Sequence, residues 1–363
     1  MGAGVLTGFT VAVTAERRRE EMTALLERRG ARVVSAPAIS IVPLVDDEAL
    51  HAATSACIGL APDVVIATTG IGFRGWLEAA EGWGLGDTLR ATLGQAKIIA
   101  RGPKPCGAIR AAGLTEDWAA KTESTDEILQ RLLADGVAGH RVVVQEHGEP
   151  QTEFVAALRA AGAAVVEVPV YRWVIPADGS GVRRMADQIV AGQIDAVTFT
   201  SAPAVKAFLR VAGPAVLEAM KSRTLAACVG PVTAAQLTKY DVPVVMPERY
   251  RLGALIRTVT EELPKRARHL RVAGDDLEVR GHAVLIGGTA HTLAPAGMAI
   301  LEALAAKPGK VVGKDQLIEV LPRGNDGHAV DVAVARLRTA LGSGRHIETV
   351  IKRGYRLRVD EAE

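Results

Sequence analysis

Apolar and polar positions recur in blocks along the first 260 or so residues. Phe9–Pro37 reads FTVAVTAERRREEMTALLERRGARVVSAP, and His140–Pro169 reads HRVVVQEHGEPQTEFVAALRAAGAAVVEVP. Each is a short β-branched run, a polar turn, an amphipathic stretch of helical period, a glycine, a second apolar run and a proline. Gly30 matches Gly162 and Pro37 matches Pro169, each 132 residues on. At the same offset DVVIATTGIGFRGWL (63–77) matches DAVTFTSAPAVKAFL (195–209). KIIARGPKPCGAIRAAGL (97–114) resembles LAACVGPVTAAQLTKYDV (225–242) with a small shift. Four blocks in one order mark an internal repeat.

Runs such as Val64–Ala67 and Ala196–Phe199 are apolar throughout, which predicts parallel strands covered on both faces. Strands alternating with helices predict an α/β class with two parallel-sheet lobes. Ligands of such sheets sit at the carboxyl ends of strands. The residues just after the strands are therefore the candidates: Thr14 and Arg17, Thr68 and Thr69, Arg101 and Lys104, the turn Glu146–Gly148, Thr200 and Ser201, Gly230 and Thr233. Hydroxyls and free N–H groups at helix starts suit carboxylates and other anions, and they are equally ordinary caps. Their recurrence in both halves, with Arg17, Arg101 and Lys104 among them, points to a polyanion.

The periodicity changes after residue 262. Leu270–Val272, Leu277–Val279 and Ala283–Ile286 are short apolar pieces separated by turn residues, which predicts a small antiparallel sheet. Pro295 starts a helix to about Ala306, and Gly313–Val320 is a second, short one. His328–Leu341 is a third, with Val330, Val334, Leu337 and Leu341 on its core face. At about 100° per residue the opposite face carries His328, Val332, Ala335, Arg336 and Thr339. Ile347–Leu357 alternates around Lys352-Arg353-Gly354, a hairpin turn. A helix with one apolar face followed by a basic hairpin is the plan of a winged helix that reads double-stranded DNA.

Charge supports that placement. The whole chain of 363 residues carries only +2, so net charge alone indicates no polyanionic partner. Residues 328–358, however, hold seven basic residues against Asp331 and Glu348. The three cysteines (Cys57, Cys106, Cys228) are far apart with no CxxC, which fits a reduced cytoplasmic protein. The eight histidines show no ligand spacing, so no metal site and no cofactor are expected. No apolar run approaches the ~20 residues of a membrane span, and the N-terminus lacks the pattern of a signal peptide.

Two resemblances follow from these blocks. DAVTFTSAPAV, CVGPVTAAQL and EVPVYRW resemble the uroporphyrinogen-III synthase family over roughly residues 8–262. That resemblance implies lobe one at about 8–37 plus 174–262, lobe two at about 45–168, and joining strands near Ile39–Leu44 and Val168–Trp173. It implies a linear tetrapyrrole with eight carboxylates, held between the lobes and closed to a ring without a cofactor. Tyr171 stands where the family's tyrosine assists hydroxide departure. The family more often shows TSxNG where this chain has TTGIG (68–72), and TSAPA (200–204) also lacks the asparagine, so little catalysis is expected.

LAAKPGKVVGKDQLIEVL, AVDVAVARLRTALG and IETVIKRGYRL resemble the output domain of OmpR/PhoB-type response regulators over 285–357. The DNA contacts this implies are His328, Ala333, Ala335, Arg336 and Arg338, then Thr349 and, in the wing, Ile351, Lys352, Arg353, Gly354 and Tyr355. No receiver domain accompanies it. The expected organisation is a module at 1–262, a linker at 263–269 and the winged helix at 270–363. The combination resembles actinobacterial regulators tied to sirohaem-dependent nitrate and nitrite assimilation. The expected partners are operator DNA, a carboxylate-rich tetrapyrrole and, for assembly, a homodimer, a second regulator or RNA polymerase. The alternatives are an active synthase with a DNA-binding tail, or a scaffold that binds no small molecule.

Overall fold

Strands buried at every position form the centres of two five-stranded parallel sheets. The computed structural model describes residues 3–44, 48–148, 150–176, 178–322 and 326–360. It divides into two compact units, Ser40–Val174, and Met1–Ile39 together with Ile175–Glu363. In the second of these, the sheet order is Val244–Val245, Leu225–Cys228, Ala196–Phe199, Thr10–Val13, Arg32–Ser35. Val11 pairs with Ala196 on one side and Val33 on the other. In Ser40–Val174 the order is Trp118–Ala119, Lys97–Ala100, Val64–Ala67, Arg141–Gln145, Ala164–Val168. Under the internal repeat the two orders are the same, strand for strand. The sheet contributed by both ends of the module and the sheet contributed by its middle are thus two copies of one design.

Helices cover both faces, as continuous apolar strands require. Phe73 and Trp76 on the helix Gly70–Gly82 are fully buried, and Trp76 donates its indole N–H to Thr54 at 2.9 Å. Ser40–Pro43 and Tyr171–Val174 pair antiparallel within the unit they share. Cys57, Cys106 and Cys228 are free and buried. Among the described residues no helix is long and apolar enough to cross a membrane.

The C-terminal part folds around its own core. Four antiparallel strands, Arg268–Val272, Asp275–Val279, Ala283–Ile286 and Thr289–Thr292, precede helices Pro295–Ala305, Lys314–Val320 and Gly327–Ala340. The sequence pattern missed the fourth strand because TAHT is short and polar. The segment expected as a linker holds a 3-10 turn, Pro264–Arg266, followed by the first strand. Val330, Val334, Leu337 and Leu341 are buried with Leu301, Leu304 and Leu317. The hairpin Ile347–Val350 and Gly354–Leu357 closes the domain, and Val312 bridges to Tyr355 beside it.

This domain is docked on the sheet that contains Thr10–Val13, through the turn Arg280-Gly281-His282. Arg280 is only 8% exposed. Its Nη1 donates to the carbonyls of Val5 (3.0 Å) and Thr7 (2.7 Å), its Nε to Glu278 (2.8 Å), and its guanidinium lies 5.1 Å over the Phe9 ring. The His282 N–H donates to Gly8 O at 2.8 Å. Gly281 packs on Asp195, where a Cβ would stand 2.1 Å from the carboxylate. Asp195 precedes its strand and Thr10 begins the next, so the contact lies at the amino edge of the sheet, away from the turns at its carboxyl edge.

Candidate functional site

The carboxyl-edge turns are built from caps. Thr69 precedes the helix Gly70–Gly82 and accepts from the Gly72 N–H at 3.2 Å; Ser201 does the same for Ala202–Ala212, accepting from Ala204 at 3.4 Å. Gly102 and Gly230 stand at the same point in the two copies, each followed by a proline at the helix start. The Tyr250 ring lies against Gly230, within 3.1 Å of where its Cβ would be.

Several expected ligand hydroxyls are already spent inside the fold. Thr14 is fully buried and donates to Thr198 O at 2.8 Å; Thr68 donates to Gln145 O at 2.8 Å. A hydroxyl at the end of a central parallel strand finds its nearest acceptor in the adjacent strand, which is why neither faces outward. Thr233 is also buried. Arg17 and Lys104 are exposed, and Thr200 and Ser201 are half-buried.

In Ser40–Val174 the turns bring together Arg101, His147, Thr69 and Tyr171. Arg101 Nη1 donates to His147 Nε2 at 3.2 Å, and Arg101 forms no ion pair among the described residues. Burial, reinforced by the Arg101 charge, pushes His147 down to about 3, so the ring is neutral. An obligate donor on Nε2 puts its proton on Nδ1, which is buried without a hydrogen-bond partner among the described residues. The Tyr171 hydroxyl is 3.5 Å from Thr69 Oγ1. Burial and the neighbouring Glu167 push Glu146 up to about 7. The sequence marks His147 only as part of the turn Glu146–Gly148; nothing local in that turn shows it as the partner of Arg101.

The C-terminal helix presents a different surface. Asp326 caps it, accepting from the Ala329 N–H at 2.8 Å, so the helix begins at Gly327. His328, Ala335, Arg336 and Thr339 are exposed and Val332 is half-buried on the same face. Three expected contacts need correction. Ala333 is buried, because it shares a face with Val330 and Leu337. Arg338 turns inward: it donates to Ile347 O at 2.7 Å and Thr349 Oγ1 at 2.9 Å, and lies 5.8 Å over the Tyr355 ring. Tyr355 is buried, its hydroxyl donating to Asp331 at 2.6 Å, and Lys314 pairs with Asp331 at 2.7 Å. These residues strut the helix against the wing. The wing tip, Ile351, Lys352 and Arg353, is exposed, with Ile351 at 81%.

Gly354 fixes that wing. Its φ is +132°, and a Cβ would stand 2.1 Å from Val312 O. Gly354→Ala is expected to cost at least about 2 kcal/mol by overpacking and strain. A thermal melt should show the C-terminal transition lowered by roughly 10 °C; a shift of under about 2 °C would show that the wing accommodates the methyl.

The family model described as uroporphyrinogen-III synthase HemD matches residues 20–257. An uncharacterized protein of Bacillus subtilis, YjjA, is 32% identical over 262 residues, covering 70% of this chain and 96% of its own. A crystal structure of a mutant uroporphyrinogen III synthase from the extreme thermophile Thermus thermophilus matches at 28% identity and a TM-score of 0.61, over 71% of this chain and 99% of that one. The chain belongs to the uroporphyrinogen-III synthase family. A second model, the C-terminal domain of transcriptional regulatory proteins, matches residues 288–357. The regulator CseB of Streptomyces coelicolor is 39% identical over 92 residues, 24% of this chain and 37% of its own length. The synthase-family module is therefore joined to an OmpR/PhoB-type DNA-binding domain, the architecture of a transcription regulator. The Arg338–Tyr355–Asp331 strut spans up to 24 residues of sequence, so local periodicity around each residue carries no sign of it.

Proposed function

We propose that the protein is a one-component transcription regulator whose synthase-family module senses a carboxylate-rich tetrapyrrole and whose winged helix binds an operator. The observation that carries the reading is the exposed face of Gly327–Ala340 beside an exposed basic wing, on a domain docked to a synthase-family sheet. In Ser40–Val174, Arg101, Lys104 and Thr69 offer cations and a hydroxyl for carboxylates, and in the other unit Arg17, Thr200 and Ser201 offer the same. Uroporphyrinogen III is the precursor of sirohaem, which links such a sensor to genes of nitrate and nitrite assimilation.

The test is operator affinity with and without uroporphyrinogen III. Coupling of about 1–3 kcal/mol changes it roughly 5- to 150-fold, and operator DNA changes tetrapyrrole affinity by the same factor. Tight binding with no change in operator affinity would remove the switch. No binding would leave the module as a scaffold for a protein partner.

One observation favours catalysis as a second reading: the Tyr171 hydroxyl lies beside Thr69. Turnover of hydroxymethylbilane at an ordinary synthase's rate, lost in Tyr171→Phe, would promote it. For the wing, Lys352→Ala and Arg353→Ala should each flatten the log–log salt dependence of binding by about 0.9. Lost affinity with an unaltered slope would exclude phosphate contact.

A further inference from the structure

The outward face of the Gly327–Ala340 helix centres on His328, with the apolar Val332 and Ala335 on either side of it. At 100° per residue, Thr339 and Val332 lie within about 40° of His328, and Ala335 within about 20° on the other side. Arg336 and Arg338 flank this strip from opposite edges. Arg338 is withdrawn to Ile347 O, Thr349 and the Tyr355 ring, so its guanidinium is committed to the wing. Arg336 is exposed and has no hydrogen-bond or ion-pair partner among the described residues. One free guanidinium therefore borders a surface made of the Val332 and Ala335 methyls with the His328 and Thr339 side chains, the Thr339 hydroxyl donating to Ala335 O at 3.2 Å. Asp331, the acid nearest this strip, is held by Lys314 and Tyr355.

In the major groove only one base edge offers an apolar group, the C5-methyl of thymine, and the bidentate partner of arginine is guanine. We propose that this helix specifies its operator through thymine methyl groups packed on Val332 and Ala335, with a single guanine held by Arg336. The assignment rests on the DNA-binding reading above and names the bases that reading leaves open. With Arg336 the one free guanidinium on this face among the described residues and His328 its other strong hydrogen-bonding group, the apolar side chains beside them carry part of the code. The apolar strip supplies discrimination by burial, at about one methyl per contact.

The experiment uses the full-length protein and an operator selected from random duplexes. Each thymine in the selected site is replaced by deoxyuridine, which removes only the methyl. Each guanine is replaced by 7-deazaguanine, which removes the N7 acceptor. Weakening of about fourfold is expected at each of one or two thymines, the value of a buried methyl, close to one guanine whose 7-deaza form weakens binding about 5- to 150-fold. Val332→Ser should erase the distinction between thymine and deoxyuridine at one position while leaving the salt dependence intact. Sequence-specific binding indifferent to every deoxyuridine would overturn the proposal alone. Failure to select any sequence would overturn the DNA-binding reading, and the proposal with it.

Discussion

Arg336→Ala is expected to weaken operator binding by about 5- to 150-fold at fixed salt and to leave the melting temperature unchanged. The side chain projects away from Val330, Val334 and Leu337 and makes no contact that the folded domain needs. Its loss is expected to remove the proposed guanine contact and little else. Arg338→Ala should behave in the opposite way. It leaves the Ile347 carbonyl and Thr349 hydroxyl without their donor, loosens the wing, and lowers both the melting temperature and the affinity for every duplex. Anisotropy titrations against the operator and a scrambled duplex separate the two. Equal losses on both duplexes for Arg336→Ala would mean that it touches phosphate.

The largest structural effect is expected at Arg280. Arg280→Ala strips the donor from the Val5 and Thr7 carbonyls and leaves Glu278 without its cation. Breaking a buried, hydrogen-bonded charge of this kind costs about 3–5 kcal/mol. Because the bonds cross from the DNA-binding domain to the N-terminal loop, the loss falls on docking. The measurement is tryptic cleavage at Lys265 and Arg266, which should accelerate well over tenfold while the melt of the synthase-family module is retained. Arg280→Lys should be intermediate, since an ammonium cannot match the planar fork. The junction also has a pH dependence. Burial, with the charge of Glu302 adding to it, pushes Asp195 up to about 6. A carboxyl raised in the folded state contributes stability that is full below its unfolded value near 3.8 and is lost as pH rises through about 6. Cleavage of Arg280→Ala, normalised to an unstructured peptide cut by trypsin at the same pH, should therefore be faster at pH 8 than at pH 5. Cleavage at the wild-type rate at both would show that docking does not depend on this bracket.

Much of this architecture was legible in the residues. The repeat, the continuous apolar strands and the Val330/Val334/Leu337/Leu341 stripe are local patterns, and local patterns survive in sequence. The α/β class, the parallel sheets and the winged helix follow from them. What was not legible was the diversion of polar groups by tertiary neighbours. Thr14 and Thr68 look like ligand hydroxyls until the adjacent strand supplies a carbonyl. Arg338 looks like a base reader until the hairpin, nine residues on, supplies Ile347 O. The family resemblance puts Ala333 on the DNA side, although its helical angle alone sets it beside Leu337. The Arg280 contact joins residues some 270 positions apart, and nothing near either end announces it.

That contact constrains the two sides of the junction unequally as sequences diverge. Arg280 grips the carbonyls of Val5 and Thr7, which every amino acid possesses. Substitutions at Val5 and Thr7, whose side chains take no part in the Arg280 bonds, should pass almost unnoticed. The exception is Gly8, at φ +91°, where a Cβ would lie 3.0 Å from Ala283 and 3.1 Å from Arg280. Random mutagenesis scored by docking should then return tolerance at Val5 and Thr7 and intolerance at Gly8, facing a turn in which Arg280 and Gly281 both resist change.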